Sequence, residues 1–392
     1  MDKYFSNRIK NTPSSFIREI LKVTQKPEII SFAGGLPNPI SFPCEELKIS
    51  MEKITSLYGD KIYQYSTTLG LESLRQYIVE RYKKLFKMDI TVENVIITTG
   101  SQQALDLIGK VFINENDTVM IEKPSYLGLL QAFCMYNANF VQTKLNDDGL
   151  DIENLKETLK AHKPKLAYLI PNFQNPTGIS YSTQNRKEVF EAIKDEEMIL
   201  VQDDPYGELR FTNDERLPYI GLNQTNKNIY LGSFSKIVTP GMRLGYAIAD
   251  KRIIKMLETA KQASDLHSNI FGQYLIADYL QNNDLDKHIE KIKKLYKSQA
   301  DTMIKAMEEH FPKDVKFTYP KGGMFTWATL PEGKSSIELF DKAIAKNVAF
   351  VPGDPFYVKE KNVNTFRLNY TNADSETIRE GVKRLAQSIE EM

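Results

Sequence analysis

Lys236 stands in the stretch SFSKIVTPGMR, between the hydroxyls of Ser233 and Ser235 and a Pro-Gly turn that leads to Arg243. A lysine at the end of a buried apolar strand is costly as an isolated charge. It becomes useful when its amine forms a Schiff base with an aldehyde. Ser233, Ser235 and Arg243 can gather around a phosphate through hydroxyl and charge-assisted hydrogen bonds. Gly100, Ser101 and Gln102 offer a second phosphate contact, because they fall where a strand turns into a helix and present free N–H groups at the positive end of the helix dipole. Asp203 and Tyr206 in QDDPYGEL, and Asn175 in PNFQNPTG, follow other apolar runs and add an acid, a phenol and an amide. Each motif alone reads as an ordinary turn, since Asn-Pro, Asp-Pro and Thr-Gly pairs favour turns. Together they offer an aldehyde-reactive lysine, a carboxylate, hydrogen-bonding groups and a phosphate cradle, the set that pyridoxal 5′-phosphate requires.

The elements that must bring these side chains together show as alternating strand and helix patterns. NVIITTG, DTVMIE, NFVQTKL, KLAYLIPN, MILVQDD and NIYLGS read as strands, and SQQALDLIGKVF, SYLGLLQAFCMY, DIENLKETLKAH and TQNRKEVFEAIKDEE between them read as helices. The class is α/β: near-continuous apolar strands in such alternation predict a buried, mostly parallel sheet with flanking helices. Ligands bind at the carboxyl ends of the strands of such sheets, which is where the polar residues above fall. Farther on, the long amphipathic DLDKHIEKIKKLYKSQADTMIKAMEEHF, strand-like pieces at Val315–Thr318, Met324–Leu330 and Thr365–Asn369, and a final helix predict a smaller α+β module. The expected division is an N-terminal segment at 1–45, a large cofactor-binding domain at 46–285 and a small domain at 286–392.

Composition removes other classes. The 392-residue chain carries 51 Lys plus Arg against 51 Asp plus Glu, a balance that calls for neither nucleic acid nor an anionic membrane as partner. No apolar run approaches the roughly 20 residues of a membrane-spanning helix, and MDKYFSNRIKNTPSSF has no signal-peptide core. The two cysteines, Cys44 and Cys134, form no C-x-x-C pair and fit a reducing cytosol. His162, His267, His288 and His310 are scattered without metal-ligand spacing, so no metal site is expected. No G-x-G-x-x-G follows Gly100, and ATLPEGKSS has Ala328 where a P-loop needs its first glycine, so neither supports nucleotide binding.

The motifs SFAGGLPNP, YQYSTTLGLESLR, TTGSQQALDL, EKPSYLG, PNFQNPTG, DDPYGEL, SFSKIVTPGMRLGY and FRLNY follow one another along nearly the whole chain. This series resembles the fold-type I pyridoxal-phosphate aminotransferases of class I/II, and within them the branch of 2-aminoadipate, kynurenine and multi-substrate aminotransferases. The resemblance implies a mostly parallel seven-stranded sheet and a cytoplasmic homodimer. It implies that Lys236 carries the cofactor, that Asp203 pairs with the pyridinium nitrogen, that Tyr206 and Asn175 bond the ring hydroxyl oxygen, and that Tyr126 stacks on the ring. Ser101, Gln102, Ser233, Ser235 and Arg243 would hold the phosphate, and Tyr65 would reach it from the partner subunit. Arg367 would clamp the substrate α-carboxylate, with Asn175 and Gly35 in the same substrate site.

SSFIREILKVTQKPEIISFAGGLP resembles a mobile N-terminal helix of that branch, in which Ser15 and Arg18 match positions that contact a distal substrate group. An exposed helix arginine is the alternative for Arg18. Leu69, in TTLG, departs from the acidic residue common there. The implied reaction moves an amino group from 2-aminoadipate, an aromatic or a branched-chain amino acid to a 2-oxo acid, most often 2-oxoglutarate, in a ping-pong cycle. A C–S lyase on the same fold and a cofactor-binding regulator are the alternatives. Regulators of that kind carry a winged-helix domain ahead of this fold, and SFAGGLP starts near residue 31, so no such domain is expected and the regulatory alternative is a free-standing sensor.

Overall fold

The computed structural model describes residues 1–12, 20, 26–212, 220–221 and 226–392. Its strands in chain order are β1 (Ile30–Ser31), β2 (Val95–Thr98), β3 (Thr118–Lys123), β4 (Asn139–Asn146), β5 (Gly149–Leu150), β6 (Leu166–Leu169), β7 (Ile199–Asp203), β8 (Asn228–Ser233), β9 (Gly245–Ala249), β10 (Lys316–Phe317), β11 (Phe325–Thr329), β12 (Val348–Ala349), β13 (Val351–Pro352) and β14 (Thr365–Asn369).

The largest sheet runs β2-β9-β8-β7-β6-β3-β4-β5. Pairing is parallel from β8 through β7, β6 and β3 to β4. It is antiparallel where β9 meets β2 and β8, and where β5 meets β4. Among the described residues the sheet therefore has eight strands rather than the expected seven. The short β5 folds back on the end of β4, and so brief an element has no period-2 pattern to read.

Every position of β2, β6, β8 and β9 is buried, as a sheet covered on both faces requires. Alternate side chains go to opposite cores, because a strand has a period of two. Val95, Ile97, Tyr246 and Ile248 join one cluster, shared with the long helix Leu285–His310 and the second sheet, while Ile96, Ala247 and Ala249 join another under helix Gly100–Phe112.

The second sheet, β10-β11-β14-β13, is antiparallel. The chain near the N-terminus is tied to it. β1 pairs in parallel with β12, the Phe32 N–H donates to the Ala349 carbonyl at 2.8 Å, and the Asn369 N–H donates to the Phe32 carbonyl at 2.8 Å. These bonds set Ala33 and Gly35 beside Arg367 of β14. Among the described residues no helix is long and apolar enough to cross a membrane.

Candidate active site

β8 ends at Ser233, and the chain then turns tightly: the Val238 N–H bonds the Phe234 carbonyl at 2.9 Å. The turn lifts Lys236 off the sheet end, where its Nζ donates to the Gly35 carbonyl at 2.8 Å. Burial, then the charges of Arg243 and Arg367, pull the Lys236 amine down to about 8. Both effects disfavour an ammonium ion. Ser233 and Ser235 are buried beside it, with the Ser235 N–H on Ser233 Oγ at 3.1 Å.

Arg243 returns to this place through a backbone conformation at φ 51°, with its N–H on the Pro240 carbonyl at 3.2 Å. Its guanidinium lies over the start of helix Gly100–Phe112. A Cβ on Gly100 would stand 2.9 Å from Arg243 Nη2, and Gly100 itself has φ +71°, so both space and backbone ask for glycine. Ser101 Oγ is buried without a hydrogen-bond partner. Gln102 Nε2 donates to the Gly128 carbonyl at 2.8 Å.

Asp203 ends β7 and is 2% exposed. Its Oδ2 accepts the Tyr168 hydroxyl at 2.8 Å, while its Oδ1 is buried with no partner. Burial pushes the carboxyl up to about 7, against the opposite pull of the Tyr168 bond. Sequence reasoning missed Tyr168. It lies opposite Val201 in the β6–β7 ladder, two residues from Asp203. That diagonal is visible only once β6 is known to neighbour β7.

Arg367, on β14, is 2% exposed. Its Nη1 donates to Asn175 Oδ1 and its Nη2 to the Ala33 carbonyl, both at 2.7 Å, and its Nε has no partner. The guanidinium carbon is 4.2 Å from the Phe325 ring centroid and 5.3 Å from that of Phe356, distances at which cation–π attraction holds an arginine in place. Burial lowers its pKa to about 10. Asn175 is held from behind: the neighbouring Gln174 donates through Nε2 to Glu122 Oε2 at 3.0 Å and to the Pro124 carbonyl at 2.8 Å. Tyr206 packs edge-on to Phe325 at 5.9 Å, and burial raises its phenol. Burial likewise pushes Tyr126 up to about 12.

Gly35, Ser101, Gln102, Tyr126, Asn175, Asp203, Tyr206, Ser233, Ser235, Lys236, Arg243 and Arg367 line one cleft of about 260 Å³, near the lower end of small-molecule pockets at about 300–1,000 Å³. Tyr65 is outside it: the side chain is 78% exposed and its ring meets His267 at 5.8 Å. Ser15 and Arg18 lie outside the described residues. The cleft suits pyridoxal phosphate on its own chemistry. Asp203 Oδ1 lacks a donor, Ser101 Oγ lacks a partner, and a glycine opens the helix start to Arg243. Buried polar atoms left unpaired in this way call for a ligand or water.

Comparisons with known proteins agree. The family model for aminotransferase class I and II matches residues 41–385. Aromatic-amino-acid aminotransferase 1 of Thermococcus litoralis is 43% identical, over 100% of this chain and 95% of its own. The crystal structure of the Pyrococcus horikoshii kynurenine aminotransferase superposes with a TM-score of 0.95 at 43% identity, covering 100% of this chain and 98% of that one. The α-aminoadipate aminotransferase of Thermus thermophilus, solved with N-(5'-phosphopyridoxyl)-L-leucine, gives a TM-score of 0.93 at 39% identity, again with 100% and 98% covered. The chain belongs to the class I and II aminotransferases, and it is a fold-type I transaminase that works with pyridoxal 5′-phosphate.

Proposed function

We propose that this enzyme takes the amino group of an L-amino acid of 2-aminoadipate, aromatic or branched-chain type and passes it to a 2-oxo acid, with 2-oxoglutarate as the expected acceptor, in a ping-pong cycle. The observation that carries the reading is the buried Arg367 guanidinium, with an unpaired Nε, opening on the same cleft as the Lys236 amine.

Arg367 binds the α-carboxylate of the amino acid through its planar fork, and Asn175, bonded to Nη1, holds that fork in register. Lys236 Nζ accepts the α-proton and later gives it back. At about 8 its pKa is matched to a proton shuttle near neutral pH. When bound, pyridoxal phosphate supplies the covalent link to the amine and an electron sink for the carbanion. Asp203 Oδ1 would pair with its ring nitrogen. Asn175 and Tyr206 would bond the ring oxygen, and Tyr126 would stack on the ring. Ser101, Gln102, Ser233, Ser235 and Arg243 would hold the phosphate. Gly35, whose carbonyl accepts from Lys236 Nζ, would belong to the substrate site.

The active form is proposed to be a homodimer in the cytoplasm, with Tyr65 of each subunit reaching the phosphate of the other. Its exposed ring supports this role. Residues 46–285 are assigned to a large domain and 286–392 to a small one, with 1–45 joining the latter. Arg18 is proposed to read a distal carboxylate, with Ser15 beside it. The names of the aromatic-amino-acid and α-aminoadipate relatives support that range of donors.

A panel of amino donors against 2-oxoglutarate, scored for glutamate formed, tests the reading. The expected result is turnover with 2-aminoadipate and with aromatic or branched-chain donors, and Arg18→Ala should lose the acidic donor selectively. Equal losses for leucine and 2-aminoadipate would refute the Arg18 role. Addition of amino acid alone should convert the cofactor stoichiometrically to pyridoxamine phosphate. With cysteine as the amino acid, release of pyruvate, ammonia and sulfide without that conversion would point to a C–S lyase instead.

A further inference from the structure

Lys261, in helix Lys251–Gln262, is fully buried and takes no part in the cleft. A buried ammonium survives only when it is paired and fully hydrogen-bonded. Its Nζ donates to Gln103 Oε1 at 2.8 Å, to Asp265 Oδ1 at 2.8 Å and Oδ2 at 3.0 Å, and to Ser268 Oγ at 3.0 Å. Gln103 and Ser268 both lead to one residue, Thr99. The Thr99 N–H donates to Gln103 Oε1 at 2.8 Å, and Thr99 Oγ1 lies 3.0 Å from Ser268 Oγ.

Thr99 is the N-cap of helix Gly100–Phe112, yet its own side chain makes no capping bond. The cap is instead supplied from Gln103, whose carbonyl oxygen is held in turn by Lys261. This is the logic of a capping box, in which a side chain from within the helix returns to the N-cap N–H. Asp265 adds an electrostatic reason for a cation. Its Oδ2 accepts from Gln103 Nε2 at 2.6 Å and lies 3.4 Å from Thr99 Oγ1, so a carboxylate stands one residue from the helix start. Without Lys261 that carboxylate would repel an anion bound at Gly100.

We propose that Lys261 is a positioning residue for the cofactor phosphate: it fixes Gln103 and Ser268 on Thr99, and it neutralises Asp265 beside the helix N-terminus that receives the phosphate. The inference rests on the reading of Gly100–Gln102 and Arg243 as the phosphate cradle.

The test compares full-length apoenzyme binding to pyridoxal phosphate and to pyridoxal, which lacks the phosphate, by absorbance titration. In Lys261→Met the dissociation constant for pyridoxal phosphate should rise about tenfold, the factor equivalent to about 1.4 kcal/mol of lost capping and added repulsion. That for pyridoxal should stay the same. Asp265→Asn added to Lys261→Met should restore part of the loss. Equal weakening of both ligands, as a general structural defect would give, or no weakening at all, overturns the inference. Arg243→Leu separates this from the underlying reading. If Arg243→Leu fails to weaken pyridoxal phosphate relative to pyridoxal, the cradle itself is wrong. If Arg243→Leu shifts the ratio and Lys261→Met does not, the cradle stands and the Lys261 role falls. Should Lys261→Met fail to fold, Gln103→Leu cuts the link from Lys261 to the Thr99 N–H at a half-buried position. Loss of affinity for pyridoxal phosphate alone then supports the inference, and equal loss for both ligands, or none, overturns it.

Discussion

Tyr168→Phe removes one oxygen from the core and leaves the ring in place. Tyr168 is fully buried on β6, so the substituted ring keeps its packing, and the change falls on Asp203 Oδ2, which loses its 2.8 Å donor. Oδ1 already lacks one. A hydrogen bond to a charged group contributes about 1.5–3 kcal/mol, and one pKa unit corresponds to about 1.36 kcal/mol, so Asp203 should titrate about one to two units higher in the variant. The sign follows from which form the bond favours. The Tyr168 hydroxyl stabilises the carboxylate, so its loss raises the pKa above the already elevated value of about 7. A protonated Asp203 cannot support a cationic ring nitrogen, and activity is lost as pH falls through its pKa. The acid limb of kcat/KM against pH should therefore move to higher pH by about one to two units in Tyr168→Phe. A bound cofactor cation shifts both enzymes downward together and leaves the difference. The assay is kcat/KM for one good amino donor across the pH range, on wild type and variant, both saturated with cofactor. An acid limb that does not move, in a variant of unchanged melting temperature, would refute the Tyr168–Asp203 coupling.

Two further tests address the cations. Arg367→Leu should lower kcat/KM for every amino donor by about a hundredfold, since truncating one partner of a buried, hydrogen-bonded charge pair costs about 2–5 kcal/mol; steady-state kinetics with an unchanged KM would count against the carboxylate clamp. Capture of pyridoxal phosphate by apoenzyme needs a neutral Lys236 amine, which burial and two arginines hold near 8 rather than the ordinary 10.5. The capture rate should climb with pH and level off above about 8 in stopped-flow absorbance, and Arg243→Leu should move that plateau upward. A wild-type rate still climbing at about pH 10 would show that the amine is not held down.

Part of the cleft was legible in the sequence because Ser101, Asn175, Asp203 and Lys236 are polar groups where an apolar run stops, whereas Gly35, Tyr126 and Arg367 came from the family resemblance alone. Asp203 closes MILVQDD and Lys236 follows NIYLGS, and in a parallel sheet such endings must meet at one edge. The supporting residues were not legible, because their partners are chosen by adjacency. Tyr168 sits inside the apolar run KLAYLIPN and reads as core until β6 is placed beside β7. Lys261 lies 158 positions from Gln103 and looks like one helix lysine among many. Glu122 accepts from the Tyr181 hydroxyl at 2.6 Å and from Gln174, and so braces the Asn175 loop, but nothing in DTVMIE marks it. β5 was missed because two residues carry no periodicity.

The cleft's electrostatics tie these pieces to the reaction. Arg243 and Arg367 both act to lower the proton affinity of Lys236. In the proposed reading each also receives an anion: a phosphate at Gly100 for Arg243, and a substrate carboxylate at the unpaired Nε of Arg367. An anion on either arginine offsets its charge, and by Coulomb's law that must raise the proton affinity of the lysine. The unliganded site therefore lowers the proton affinity of the amine, so that more of it is in the neutral form that attacks a carbonyl than for an ordinary lysine. On that reading, a substrate carboxylate at Arg367 would strengthen the same amine as a base at the moment it has an α-proton to take.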